Sequence, residues 1–82
     1  MEIKIIDSNK KEFLDLLLLA DEQENMIDLY LDRGTLFALY DENLKSICVV
    51  TNEGNGIFEI QNIAIYSQFQ GQGYGKSLIK SI

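Results

Sequence analysis

The sequence predicts an α+β fold: a mainly antiparallel sheet with its helices in the order β-α-α-β-β-β-α. Three observations lead there. Residues 35–66 contain three consecutive strand-like runs, "TLFALY", "LKSICVVT" and "IFEIQNIAIY", joined by very short turns, and strands joined so closely must be antiparallel neighbours. Residues 9–34 instead repeat apolar side chains at helical spacing. After the last strand comes the glycine-rich run "QGQGYG", which separates it from a final helical segment, "KSLIKSI".

Each element follows from local chemistry. "EIKII" is alternating and β-branched, so residues 2–6 read as the first strand. Asp7, Ser8 and Asn9 are candidate N-caps for a helix beginning near residue 9. Phe13, Leu16, Leu17 and Ala20 recur at i, i+3, i+4 and i+7, with Leu14 and Leu18 widening the stripe. The polar run "DEQEN" marks a joint near 21–24. A second helix then carries Met26, Ile27, Tyr30 and Leu31 and is expected to end with Gly34 at a C′ position. In the last strand, Phe58 and Ile60 share one parity while Ile63 and Ile65 share the other. Either a β-bulge at Gln61–Asn62 or a strand covered on both faces accounts for the slip.

Composition narrows the function. The chain has 82 residues, 46% of them apolar, which suits one small globular unit. Thirteen carboxylates against seven basic residues give a net charge of −6, which argues against nucleic acid or anionic membrane as partners. With no histidine and one cysteine, Cys48, there is no imidazole base, no internal disulfide and no Cys/His metal site. The longest apolar run, "LLLLA", is far short of a membrane span. These features suit a cytoplasmic protein.

The glycines at 71, 73 and 75 stand before Lys76, so the run looks built to hold phosphate. A P-loop does not fit, because its opening glycine would fall at Gln70 and because a P-loop follows a parallel strand. A dinucleotide fingerprint fails as well, since its third glycine would fall at Lys76. The physical logic of a cradle remains. Glycines let backbone approach an anion, and the N–H groups of residues 71–76 would converge at a helix N-terminus. Lys76 and Lys80 add positive charge nearby.

The stretch "NIAIYSQFQGQGYGKSLI" resembles the acetyl-coenzyme A signature of the GNAT N-acetyltransferase superfamily, with Gln70, Gly73 and Gly75 at the defining positions of Gln/Arg-x-x-Gly-x-Gly/Ala. Element order over residues 1–82 resembles the first half of that domain, and Ser67 stands where many members have proline. The resemblance implies a single N-terminal portion of a GNAT domain that lacks the C-terminal half. It implies acetyl-CoA as cosubstrate, held by Ile63, Ala64, Ile65, Gln70, Gly71, Gln72, Gly73, Tyr74, Gly75 and Lys76, with the Ile65 N–H polarising the thioester carbonyl. Glu59 is the candidate general base toward an amine acceptor, through partial desolvation of its carboxylate, and Tyr30 and Asn62 are candidate acceptor-binding residues. Tyr40 is a further candidate pocket residue. The acidic run Asp21, Glu22, Glu24, Asp28 and Asp32 either favours a cationic amine or is a solvated helix face. The implied activity is acetyl transfer to an amine. The alternative is a non-catalytic acyl-CoA-binding or assembly module. An unpaired edge on the last strand predicts self-association or pairing with a chain that supplies the missing half.

Overall fold

The computed structural model describes all 82 residues, Met1–Ile82. Strands β1 (Glu2–Ile6), β2 (Thr35–Asp41), β3 (Asn43–Gly54) and β4 (Ile57–Ile65) form one antiparallel sheet in the order β1-β2-β3-β4. Helices α1 (Leu14–Ala20) and α2 (Glu24–Leu31) lie between β1 and β2 in the chain, and α3 (Tyr74–Ser81) follows β4. The hairpin turns use left-handed backbone, at Glu42 between β2 and β3 and at Gly54, Asn55 and Gly56 between β3 and β4.

The two faces of the sheet are covered by different helices. On one face, Leu36, Ala38, Ile47, Val49 and Ala64 meet Phe13, Leu16, Leu17, Ile27, Tyr30 and Leu31 from the α1–α2 segment. On the other, Leu39, Cys48 and Val50 pack against Leu78 of α3. Of the predicted helical stripe, Ala20 and Met26 are exposed instead; the helices are only two turns long and bury a narrower face than the spacing suggested.

The slip of parity in β4 is a β-bulge. Val49 pairs with Asn62 and Val50 with Ile60, so Gln61 is the extra residue. That single insertion places Phe58 and Ile60 on the same face as Ile63 and Ile65. The amide of Gln61 donates to Thr51 Oγ1 at 3.0 Å, which satisfies it where the ladder is interrupted. A second irregularity in β3 leaves Lys45 as the extra residue between the pairs Leu39–Ser46 and Tyr40–Leu44.

Three local expectations are corrected. The segment after β1 enters as a 3₁₀ turn, Lys10–Phe13, before α1, and Asn9 at its start is left-handed (φ 55) with no side-chain cap. What anchors that turn is Lys10, whose ammonium donates to the carbonyls of Leu31, the last residue of α2, at 3.1 Å and of Gly34 just beyond it at 2.7 Å, where a cation complements the helix dipole. Gly34 does not adopt a left-handed C′ conformation. It is glycine because an added Cβ would lie 2.7 Å from Val49 Cγ1 and 2.9 Å from the Tyr30 carbonyl oxygen. Finally, α3 starts at Tyr74, inside the run expected to be loop.

Candidate functional site

Residues 66–76 lie where β4 hands over to α3. A 3₁₀ turn at Ser67–Phe69 follows β4, and the chain then crosses Gly71 (φ 80) and Gly73 (φ 84), the latter being the N-cap of α3. Both glycines sit in backbone conformations that L-residues avoid, and neither has a neighbouring atom within 4 Å of a built Cβ. The cradle is therefore open on its outer side. Gly75 has a different job. It is buried in the first turn of α3, where a Cβ would meet Ile65 Cδ1 at 2.9 Å, so its missing side chain lets the helix seat on β4. The expectation that all three glycines serve an anion alike is corrected to two open and one packed.

No N–H of residues 71–76 donates to a protein acceptor. The first bond of α3 runs from the Ser77 N–H to the Gly73 carbonyl at 2.9 Å, and the preceding turn closes with the Gln70 N–H to Ser67. Six consecutive donors thus lie unpaired at the positive end of a helix dipole. Gln70, Gln72 and Lys76 are exposed beside them. The Tyr74 side chain turns away, its hydroxyl donating to Asp41 Oδ2 at 2.9 Å. The Asp41 carboxylate that accepts this bond raises the Tyr74 pKa. Of Tyr74, the backbone N–H is what faces the cradle.

The edge of β4 adds a second feature. The Tyr66 N–H donates to the Lys45 carbonyl at 3.3 Å, and with Ile65 opposite Ser46 and Ile63 opposite Cys48 the alternation of an antiparallel ladder turns the N–H and C=O of Ile63 and Ile65 outward. Since β4 is the last strand of the sheet, those groups face its free edge, continuous with the glycine loop. Ala64, between them, is turned toward β3 and buried.

The other candidates divide. Asn62 and Tyr30 do meet: Asn62 Nδ2 donates to the Tyr30 hydroxyl oxygen at 3.0 Å and to the Leu17 carbonyl at 3.0 Å. Both residues are buried, and the Tyr30 hydroxyl donates onward to Asp21 Oδ2 at 3.4 Å, in the joint between α1 and α2. Burial raises the Tyr30 pKa, with the Asn62 bond opposing and Asp21 assisting. Asn62 Oδ1 is buried with no partner. Glu59 pairs with Thr51 across the ladder and is exposed, so burial does not supply the desolvation invoked for it. Tyr40, on β2, is half-buried against the α1–α2 core and lies under the Lys4 ammonium at 5.2 Å. In the acidic run, Glu24 and Asp28 share the ammonium of Lys11 at 2.5 and 2.6 Å, which is the behaviour of a solvated helix face.

The largest cavity, about 440 Å³, is elsewhere: Phe37, Val50, Phe58 and Ile82 line it under the far end of α3. Neither cavity of the structure is lined by residues 63–76, so a ligand there would be held by backbone donors instead of an enclosing pocket. Sequence reasoning missed Asp21 as the partner of Tyr30, and it missed Lys45 and Phe69 behind the loop. No local pattern marks these residues, because their contacts span the sheet.

No protein-family model matches the chain. Among curated proteins it is similar to an uncharacterized N-acetyltransferase, YvbK, of Bacillus subtilis, at 32% identity over 80 residues covering 96% of this chain and 52% of the relative. Among solved structures it superposes on a GNAT family acetyltransferase of Elizabethkingia anophelis with acetyl-CoA bound, at a TM-score of 0.87 and 34% identity, over 98% of this chain and 53% of that one. It also superposes on an IAA acetyltransferase of Bacillus cereus, and on a B. subtilis acetyltransferase in complex with CoA, each at a TM-score of 0.86 and 32% identity over 98% of this chain and 53% of theirs. The chain spans about half the length of these relatives.

Proposed function

We propose that the chain, similar in sequence and in fold to about half of known acetyltransferases, binds acetyl-CoA as cosubstrate and serves acetyl transfer to an amine. One observation carries this reading: six unpaired N–H groups at residues 71–76 continue directly into the outward-facing backbone of Ile65 and Ile63. The first set suits a pyrophosphate, at roughly 1.5–3 kcal/mol for each hydrogen bond to a charged group. The second suits the amides of a pantetheine arm lying along β4 as an added strand would. Solved relatives with acetyl-CoA or CoA bound support the choice of ligand.

Acetyl-CoA supplies the acetyl group as a thioester. The chain's own residues hold and orient it. Gly71, Gln72, Gly73, Tyr74, Gly75 and Lys76 form the phosphate side through their N–H groups, with the exposed Gln70 side chain beside them and the Lys76 ammonium adding charge. Ile63 and Ile65 form the pantetheine side, held in register by Ala64, which pairs with β3 between them, and the Ile65 N–H is the donor to the thioester carbonyl. The ladder makes Ile63 an equivalent outward donor that lies nearer Glu59, the proposed general base. Glu59 is six residues before Ile65, on the order of 20 Å of strand at about 3.3 Å per residue, so it would take the amine's proton through water and not by direct contact. Asn62 and Tyr30, both buried, would orient the acceptor once the α1–α2 joint moves aside to expose them.

No helix of the structure is long and apolar enough to cross a membrane, and one buried, unpaired thiol supports a reducing, cytoplasmic setting. The free edge of β4, with Phe58 and Ile60 exposed beside it, supports association with a second chain along that edge.

Calorimetric titration of the 82-residue chain with acetyl-CoA tests the binding, and release of free thiol in the presence of an amine panel tests the transfer. Saturable one-to-one binding is expected. Binding without thiol release for any amine would leave an acyl-CoA-binding module, and absence of binding would refute the reading.

A further inference from the structure

Lys45 stands apart from the other cations whose partners the fold settles. Lys10 is held by the carbonyls of Leu31 and Gly34 at the end of α2, Lys11 by Glu24 and Asp28, and Arg33 by Glu53 at 2.9 Å. Lys45 is only 9% exposed, yet no carboxylate lies within 4 Å of its ammonium and no protein oxygen accepts from it. Its recorded contact is the ring of Phe69, with Nζ 3.7 Å from the centroid. A chain with thirteen carboxylates does not lack partners. The stem is what is buried; Nζ keeps contact with solvent, held over the ring by cation–π attraction of about 0.5–2 kcal/mol with its N–H donors unused.

The position of this cation is informative. As the extra residue of the β3 irregularity, Lys45 is released from the regular alternation of the strand. Its own carbonyl accepts from Tyr66, which opens the segment leading to the glycine loop. Phe69 directly precedes Gln70, and its ring meets Tyr66 and Tyr74 edge-on at centroid distances of 6.5 and 6.3 Å. The aromatic that holds the Lys45 ammonium is thus packed against the first residue of α3, whose N–H is one of the six free donors.

We propose that Lys45 is a phosphate-binding residue of this site, its ammonium pairing with the pyrophosphate of the nucleotide-type cofactor seated on the N–H groups of residues 71–76. The inference rests on reading that run as an anion cradle. The side chain supplies the fixed positive charge that backbone dipoles lack, and the Phe69 ring fixes its direction. An Nζ–H donates to a phosphate oxygen, and no covalent step is involved.

The test is Lys45→Met, which keeps the aliphatic stem, and Lys45→Arg, which keeps the charge. The full chain is titrated with coenzyme A, with coenzyme A lacking its 3′-phosphate, and with pantetheine, at several salt concentrations, with circular dichroism to verify folding. Lys45→Met should weaken both nucleotide ligands by roughly 10- to 100-fold, the scale of one charge-assisted hydrogen bond. It should leave pantetheine unchanged and make the salt dependence shallower, and Lys45→Arg should retain most of the affinity. Unchanged affinity for coenzyme A would overturn the proposal. So would an equal loss for pantetheine, which would mean that Lys45 only supports Phe69, or a loss confined to the ligand bearing the 3′-phosphate. If the parent chain binds none of the three, the cradle reading itself fails, and this inference with it.

Discussion

Gly73→Ala separates what the left-handed backbone does for folding from what it does for a ligand. In the free protein an added methyl meets no atom within 4 Å, so the folded chain has room for it. The cost is conformational: at φ 84 an L-residue is disfavoured by roughly 1–2 kcal/mol. For a chain of this size each kcal/mol moves Tm by about 4–8 °C, so a fall of about 4–16 °C is expected. Gly54→Ala is the matched control, since Gly54 has φ 89, equally open surroundings and a place in the β3–β4 hairpin. The two variants should lose similar stability. They should differ in binding, because at residue 73 the methyl intrudes on the space an anion would occupy and any relaxation of φ turns the neighbouring N–H groups away. Losing two such bonds at about 1.5–3 kcal/mol each corresponds to roughly a 10²- to 10⁴-fold loss of affinity. Thermal unfolding and calorimetric titration with acetyl-CoA measure both quantities on the same samples. If Gly73→Ala binds as the parent does, or if Gly54→Ala loses affinity equally, the cradle is not where the geometry puts it.

Stability should also fall with alkaline pH. Burial pushes the Cys48 thiol from 9.0 up to about 11, so the unfolded chain releases that proton before the folded one does. The thiol's contribution is complete below the unfolded value and is lost as pH rises through the folded one, a total of roughly 2–3 kcal/mol at about 1.36 per pH unit. Burial raises Tyr30 and Tyr66, and the Asp41 bond raises Tyr74, so the tyrosines act with the same sign at higher pH. Urea midpoints measured from pH 8 to about 11 should decline, and Cys48→Ala should flatten the first part of that decline; an identical slope in the variant would contradict the assignment. The exposed edge of β4 predicts concentration-dependent association, read by sedimentation velocity, and a well-folded monomer at high concentration would refute it.

Much of the site was legible because its signals are local. Gly71 and Gly73 follow a strand of alternating parity and precede a helical pattern, and the bulge at Gln61 left its trace as a slip from Phe58 and Ile60 to Ile63 and Ile65. Lys45 left no such trace, since nothing in "NLKSIC" distinguishes a strand lysine facing water from one lying on a ring 24 residues later.

By itself the sequence determined the order of elements and the place of the glycine loop, because two-residue and 3.6-residue periods and turn-forming residues act over a few neighbours. Tertiary structure decided how apparently equivalent residues divide their work. Gly71 and Gly73 stay open while Gly75 makes room for Ile65; Gly34 yields space to Val49 instead of turning left-handed; Asn62 reaches 45 residues back to Leu17. Each of these outcomes depends on which atoms the packed sheet and helices bring within a few ångströms, a property of the assembled core that no window of sequence contains.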